Sequence, residues 1–251
     1  MSEHLYVLTG ASRGMGLAIA RALLRPGHTV LGISRRSNST LAAQADAAGA
    51  ALLQWPMDLA DAVAAADRLQ AWLGEHAPER FASASLINNA GVVPSPGPLQ
   101  QASASELSNA LRVGLEAALL LSASFLRATD GWPGTRKILN ISSGLGRRAM
   151  AGSTAYCAAK AGMDHFSRAL ALEQAQQPNG AKVVSLAPGV IDTDMQQQLR
   201  AADPERFPER ERFMQLKAQG QLDTPEQAAA KVLARLERAD FGSEPIADVR
   251  E

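Results

Sequence analysis

The chain has 251 residues, 46% of them hydrophobic and 20% charged, which suits one globular α/β domain with a full core and excludes a largely disordered chain. Lys plus Arg and Asp plus Glu both number 25, so the formal charge is zero and no long-range field draws the chain to nucleic acid or an anionic membrane. The single cysteine, Cys157, excludes an internal disulfide, and the four histidines (His4, His28, His76 and His165) lack metal-ligand spacing. No metal is expected, and a reducing cytoplasm fits.

The N-terminal residues enter an apolar, β-branched stretch with no basic leader or cleavage signal, and no apolar run is expected to approach the roughly 20 residues of a membrane span. Short runs rich in Val, Ile and Leu at 5–8, 29–33, 50–55, 86–88, 137–141 and 182–186 read as buried strands. Alanine-rich stretches at 14–24, 41–48, 60–76, 103–128 and 153–176 lie between and after them and read as helices. The alternation predicts an α/β fold in a single domain over the whole chain, a Rossmann-like doubly wound parallel sheet of about seven strands with helices on both faces. Ligands are expected at the carboxyl ends of the strands. Beyond Pro188 the chain becomes polar and charge-mixed over 191–219, an expected substrate lid, before a last helix at 225–237 and a short apolar tail.

The first predicted strand ends in TGASRGMG, residues 9–16. Gly10, Gly14 and Gly16 there permit a tight turn and close backbone approach to a pyrophosphate, with Ser12, Arg13 and Met15 carried in the same turn. The second predicted strand ends in GISRRSN, where a dinucleotide fold selective for NAD would place an acidic side chain on the adenosine ribose. Arg35 and Arg36 stand there instead. Guanidinium groups favour a 2′-phosphate, and Arg13 adds a third positive charge, so NADP(H) is the expected cofactor.

Tyr156 and Lys160 are four residues apart on a predicted helix and so share one face. A free tyrosine has a pKa of about 10, and a neighbouring ammonium is expected to lower it, suiting the pair to proton exchange with a carbonyl or alcohol. Ser143, at the end of the fifth predicted strand, can hydrogen-bond the same oxygen, although Ser142 offers the same chemistry. Cys157 reads as a small packing residue.

TGASRGMG, NNAG at 88–91, the Ser143, Tyr156 and Lys160 set, and PGVIDT at 188–193 together resemble the short-chain dehydrogenase/reductase family over nearly the whole chain. The segments NISS at 140–143, AYCAAKAGMD at 155–164 and APGVIDTDMQQ at 187–197, with the tail FGSEPIADVRE, resemble the branch of sepiapterin and benzil (diketone) reductases. The resemblance implies that Asp58 and Leu59 flank the adenine, that Asn89, Ala90 and Gly91 line the adenosine side, and that Pro188, Gly189, Val190 and Thr193 hold the nicotinamide. It places Asp248 at the substrate, and its serine-to-tyrosine interval favours Ser143 over Ser142. Where the family has an asparagine in the fourth helix, this chain has Gly114, or Arg112 in a shifted register. A glycine there tolerates helix distortion.

These residues imply an NADPH-linked reductase of a small ketone, diketone or pterin-like substrate. A secondary alcohol dehydrogenase and a catalytically weak dinucleotide sensor are the alternatives. The long fourth and fifth helices carry surplus apolar residues, and a homodimer or homotetramer is expected.

Overall fold

The structure, a computed structural model, describes residues 3–251. Among them, seven parallel strands form one sheet in the order β3-β2-β1-β4-β5-β6-β7, where β1 is Glu3–Thr9, β2 His28–Ser34, β3 Ala51–Pro56, β4 Phe81–Asn88, β5 Thr135–Ile141, β6 Lys182–Ala187 and β7 Ile246–Asp248. The order reverses at β1, whose neighbours are β2 and β4. Such a reversal opens a crevice at the carboxyl ends of the strands.

Successive side chains of the strands serve two cores, one on each face. Leu8, Val30, Leu139, Val184 and Leu186 pack beneath α1 (Gly14–Leu23) and α9 (Pro225–Glu237). Leu5, Val7, Leu31, Leu86 and Ile138 pack beneath α3 (Ala62–Gly74) and α5 (Ala117–Ala128). Strand α/β connections are capped as their sequences dictate: Asn38 accepts from the Leu41 N–H at 3.0 Å to begin α2 (Ser39–Ala48), and Thr224 and Gln227 form a reciprocal capping box around Pro225.

Three differences from the sequence reading bear on the site. β4 begins at Phe81 rather than 86, because residues 82–85 are small and take their strand character from pairing: Ser83 sits opposite His4 of β1 and meets its Nδ1 at 2.8 Å. The 103–128 helix is not uniform. It runs as α4 (Ala104–Leu111), a π turn over Arg112–Glu116, and then α5.

The third difference concerns membrane length. Contrary to expectation, the continuous stretch Ala104–Ala128, with mean hydropathy 1.3, is long and apolar enough to cross a membrane. Its inner face is committed elsewhere: Val113, Ala117, Leu121 and Phe125 are buried in the core beneath α3. The polar segment after Pro188 folds into α7 (Asp194–Arg200) and α8 (Arg210–Ala218), completing the set with α6 (Thr154–Ala175).

Candidate active site

A cleft of about 1020 Å³ runs across the carboxyl ends of the strands. At one end stands the glycine turn between β1 and α1. Gly10 has φ +73°, a region that favours glycine, and a Cβ there would lie 2.9 Å from Asn89 Nδ2. A Cβ on Gly16 would lie 2.5 Å from the same amide nitrogen and closer still to the Gly10 carbonyl oxygen. The backbone itself is the wall of the cleft.

Thr9, at the end of β1, staples the NNAG segment beside it. Its hydroxyl accepts from the N–H groups of Asn89 and Ala90, both at 2.9 Å, and its carbonyl accepts from Asn89 Nδ2 at 2.9 Å. Below, Asn88 Nδ2 donates to Asn140 Oδ1 at 2.8 Å, and Asn140 Nδ2 donates to Ser167 Oγ at 2.9 Å. Sequence reasoning missed Thr9 and Asn140. The available signal was a polar side chain at the carboxyl end of an otherwise apolar strand.

Arg35 and Arg36 line the cleft beyond β2, and neither guanidinium has a side-chain hydrogen bond or ion pair among the described residues. Ser12, Met15, Asp58 and Leu59 line the same end, and Asp58 is oriented by accepting from the Ala60 N–H at 3.0 Å. Arg13 behaves differently. It crosses the cleft mouth to Asp194 at 2.7 Å, so its charge is already met by the first residue of α7.

In the middle of the cleft, Ser143, Tyr156 and Lys160 come together. Ser143 leaves β5 in extended conformation and caps a short 3₁₀ turn, Gly144–Gly146, by accepting from the Leu145 N–H at 3.1 Å. Tyr156 and Lys160 stand on the first turns of α6, with the Lys160 ammonium 5.8 Å from the Tyr156 ring centroid. Lys160 is only 3% exposed and donates to the Ile141 carbonyl oxygen at 2.6 Å. Ser142 also lines the cleft, but its buried hydroxyl has no partner among the described residues.

The electrostatics depart from the expectation that Lys160 would lower the phenol. Burial pushes Tyr156 up to about 12, against a downward pull from the neighbouring Ser143 hydroxyl. Burial pulls Lys160 down to about 8, opposed by the negative charge of Asp164. The phenol therefore holds its proton at neutral pH, and the lysine keeps its charge there. Such a pair is set to give a proton from Tyr156.

The π turn lies directly behind this pair. Its Ala117 N–H bonds back to the Arg112 carbonyl, and Gly114 at its centre is buried while Arg112 is exposed. Gly114 is thus the inward position, and a Cβ on it would come within 3.2 Å of Ala159 Cβ on α6. The widened turn and the missing side chain together let α6 approach. Asn109 lines the cleft one turn earlier.

Pro188, Gly189, Val190 and Thr193 line the cleft opposite the glycine turn, with Gly189 at φ +82°. The Asp223 N–H bonds the Val190 carbonyl at 2.9 Å and the Asp192 N–H bonds the Asp223 carbonyl at 2.9 Å, tying this segment to the start of α9. Asp248 is the exception among the sequence candidates. Arg250 lines the cleft, whereas Asp248 is buried and occupied by Arg250, with Arg147 at 3.9 Å.

At the far end, Met150, Leu199, Phe207 and Phe213 form a third apolar cluster, against which Val93, Leu145 and Cys157 pack. Cys157 is thus half-buried packing beside Tyr156. The cleft therefore has a backbone-walled end, a proton-bearing centre and an apolar end.

A short chain dehydrogenase family model matches residues 4–204. The chain belongs to the short-chain dehydrogenase family. Members of this family are oxidoreductases that bind a nicotinamide dinucleotide. The chain is 34% identical over 235 residues to a benzil reductase ((S)-benzoin forming) of Bacillus cereus, covering 94% of each. It is 36% identical over 250 residues to the sepiapterin reductase of Rattus norvegicus, covering 94% of this chain and 92% of that one. A metagenomic short-chain oxidoreductase solved in complex with NADP superposes with a TM-score of 0.73 at 27% identity, covering 98% of this chain and 95% of that one.

The tight packing at Gly16 gives a direct test of the dinucleotide end. Gly16→Ala is expected to weaken nicotinamide-dinucleotide binding at least tenfold, about 1.4 kcal/mol, read by fluorescence titration. Binding that matches the parent would show that the glycine turn does not form the cofactor wall.

Proposed function

We propose that this protein is an NADPH-dependent carbonyl reductase acting on ketones or vicinal diketones with an apolar, aryl-sized body. The observation that carries the reading is the course of the cleft. It begins at two arginines whose guanidinium groups have no side-chain partners among the described residues, passes Ser143, Tyr156 and Lys160, and ends against Leu145, Met150, Leu199 and Phe213.

The residues fit a nicotinamide dinucleotide phosphate. The glycine turn supplies a backbone wall that any side chain would obstruct, and Arg35 and Arg36 supply unpaired positive charge for a 2′-phosphate. Arg13, held by Asp194, is a weaker contributor to that charge than the sequence suggests. When bound, the cofactor supplies a hydride to the carbonyl carbon. The chain's own work is on the oxygen.

Ser143 donates a hydrogen bond to that oxygen and orients it. Tyr156, which keeps its phenolic proton at neutral pH, transfers that proton to the oxygen as negative charge develops. The Lys160 ammonium, 5.8 Å from the ring centroid, is the positive charge nearest the phenolate left behind. The apolar end of the cleft receives the substrate body, and a diaryl diketone such as the one named for the Bacillus relatives matches its chemistry. Segment 191–219, which contributes Leu199 and Phe213, is proposed as the lid over this end.

We also propose that the chain assembles as a homodimer or homotetramer through the outer face of α4, α5 and α6. Leu111, Leu119 and Leu172 on these helices are 41%, 44% and 70% exposed. Apolar side chains of this size on neighbouring helices are what a second copy would cover.

Consumption of NADPH is expected with benzil and related diketones, and Tyr156→Phe is expected to lower kcat by about 10² to 10⁴. Activity that survives Tyr156→Phe would sink the mechanism, and NADPH binding with no carbonyl turned over would favour a sensor. Arg36→Ala is expected to reduce the preference for NADPH over NADH about tenfold; an unchanged affinity ratio removes the basis for the cofactor assignment. Light scattering is expected to give a dimer or tetramer that Leu119→Glu with Leu172→Glu breaks to monomer, and a monomeric parent would refute the assembly.

A further inference from the structure

Beyond Ser143, Tyr156 and Lys160, one buried carboxylate stands close to the chemistry. Tyr156, Lys160 and Asp164 recur every fourth residue along α6 and share a face of the helix. Asp164 is only 2% exposed. Its Oδ1 accepts from the buried Ser185 hydroxyl of β6 at 2.7 Å, and its Oδ2 accepts from Arg147 Nε at 3.3 Å.

Arg147 directly follows the 3₁₀ turn that Ser143 caps. The same guanidinium donates from Nη2 to the Ala247 carbonyl of β7 at 2.7 Å and faces Asp248 at 3.9 Å. One side chain therefore joins the serine turn, the lysine helix and the last strand. Gly146 makes the junction possible, because a Cβ there would lie 2.9 Å from both Asp164 Oδ2 and the Lys160 carbonyl oxygen. The turn rests on the helix at the very step that links Lys160 to Asp164.

We propose that Asp164 is a positioning residue: through Arg147 it seats the Ser143 turn on α6, and by its negative charge it keeps Lys160 in the ammonium form. The first role rests on the contacts just given, and the kinetic part rests on the carbonyl-reductase reading.

Other charges near Lys160 are few. On its own helix the neighbours are Tyr156 and Asp164, and from the β5 turn comes Arg147, which meets Asp164 rather than Lys160. β6 offers neutral Ser185, and β7 offers Asp248, which is paired with Arg250. The π turn presents buried Val113 and Gly114 and keeps Arg112 and Glu116 outward, while Glu106 of α4 is half-buried and held by Ser95 and Ser103. Arg127 of α5 is engaged with Gln70. Asp164 is the anion on the lysine face.

The chain has five lysines (Lys137, Lys160, Lys182, Lys217 and Lys231), so carbon-13 labelling of lysine Cε resolves each titration by NMR without any turnover. In the full-length protein the Lys160 midpoint is expected near about 8, and Asp164→Asn is expected to move it down by about one pH unit. The alkaline limb of reductive kcat/KM should move down with it, while kcat/KM below the limb is retained within about tenfold.

A Lys160 midpoint unmoved in Asp164→Asn would overturn the proposal, even if activity fell equally at every pH as for a merely structural residue. Arg147→Gln leaves Asp164 uncompensated, so the midpoint should rise; it also serves if Asp164→Asn does not fold, and a midpoint that stays or falls refutes the charge role. A parent chain that reduces no carbonyl would overturn the functional reading alone, because the lysine titration still decides Asp164.

Discussion

An ammonium group enclosed by protein needs oxygen around it, and much of the site is arranged to meet that need at Lys160. The first oxygen is the Ile141 carbonyl, available because β5 ends there and the next N–H, of Ser142, turns to Leu186 of β6. The same strand end launches Ser143, so the carbonyl that fixes the lysine is two residues from the serine that lines the centre of the cleft. Burial then divides the labour between the two titrating side chains. It pushes Tyr156 up and Lys160 down, which keeps the proton on the phenol while leaving the lysine charged at neutral pH.

The dinucleotide end solves a different problem by different means. Its walls are main chain, held in place by hydrogen bonds from Thr9 and by glycines where side chains would collide with Asn89. Backbone walls suit a ligand common to a large family, because they depend on the positions of strands rather than on side-chain identity. Side-chain charge enters at the edge, where Arg35 and Arg36 line the cleft beyond the end of β2. The carboxyl ends of β1, β2, β4 and β5 thus carry the glycine turn, the two arginines, the NNAG segment and the serine together.

Features set by local spacing were legible in the sequence, and features set by meetings of distant segments were not. The strand and helix alternation and the Tyr156 and Lys160 interval are local, and seven parallel strands follow. Gly114 was visible as an oddity, but the apolar period runs unbroken through it, so the π turn that packs against Ala159 of α6 could not be read. Asp164 continues the helical spacing of the pair, yet its meaning depends on Arg147 and Ser185, from the β5 turn and β6. The contacts of Asp248 were hidden for the same reason: the tail motif gave its position, while its pairing with Arg250 and Arg147 comes from tertiary contacts.

The apolar end of the cleft is built apart from the sheet. Its cluster of Met150, Leu199, Phe207 and Phe213 draws residues from the loop after β5 and from segment 191–219, and none from a strand. Arg13 to Asp194 and Gln198 to the Val93 carbonyl at 3.3 Å are polar links across the cleft from α7, and both involve exposed side chains. Exposed pairs of this kind contribute little to stability. A small satellite cluster with weak polar ties has lower local stability than the sheet it leans on. Residues there can change without disturbing the strand ends that hold Ser143 and the glycine turn. The strand ends and the first turns of α6 fix the centre of the cleft, and its apolar end is left to a part of the chain that the sheet does not constrain.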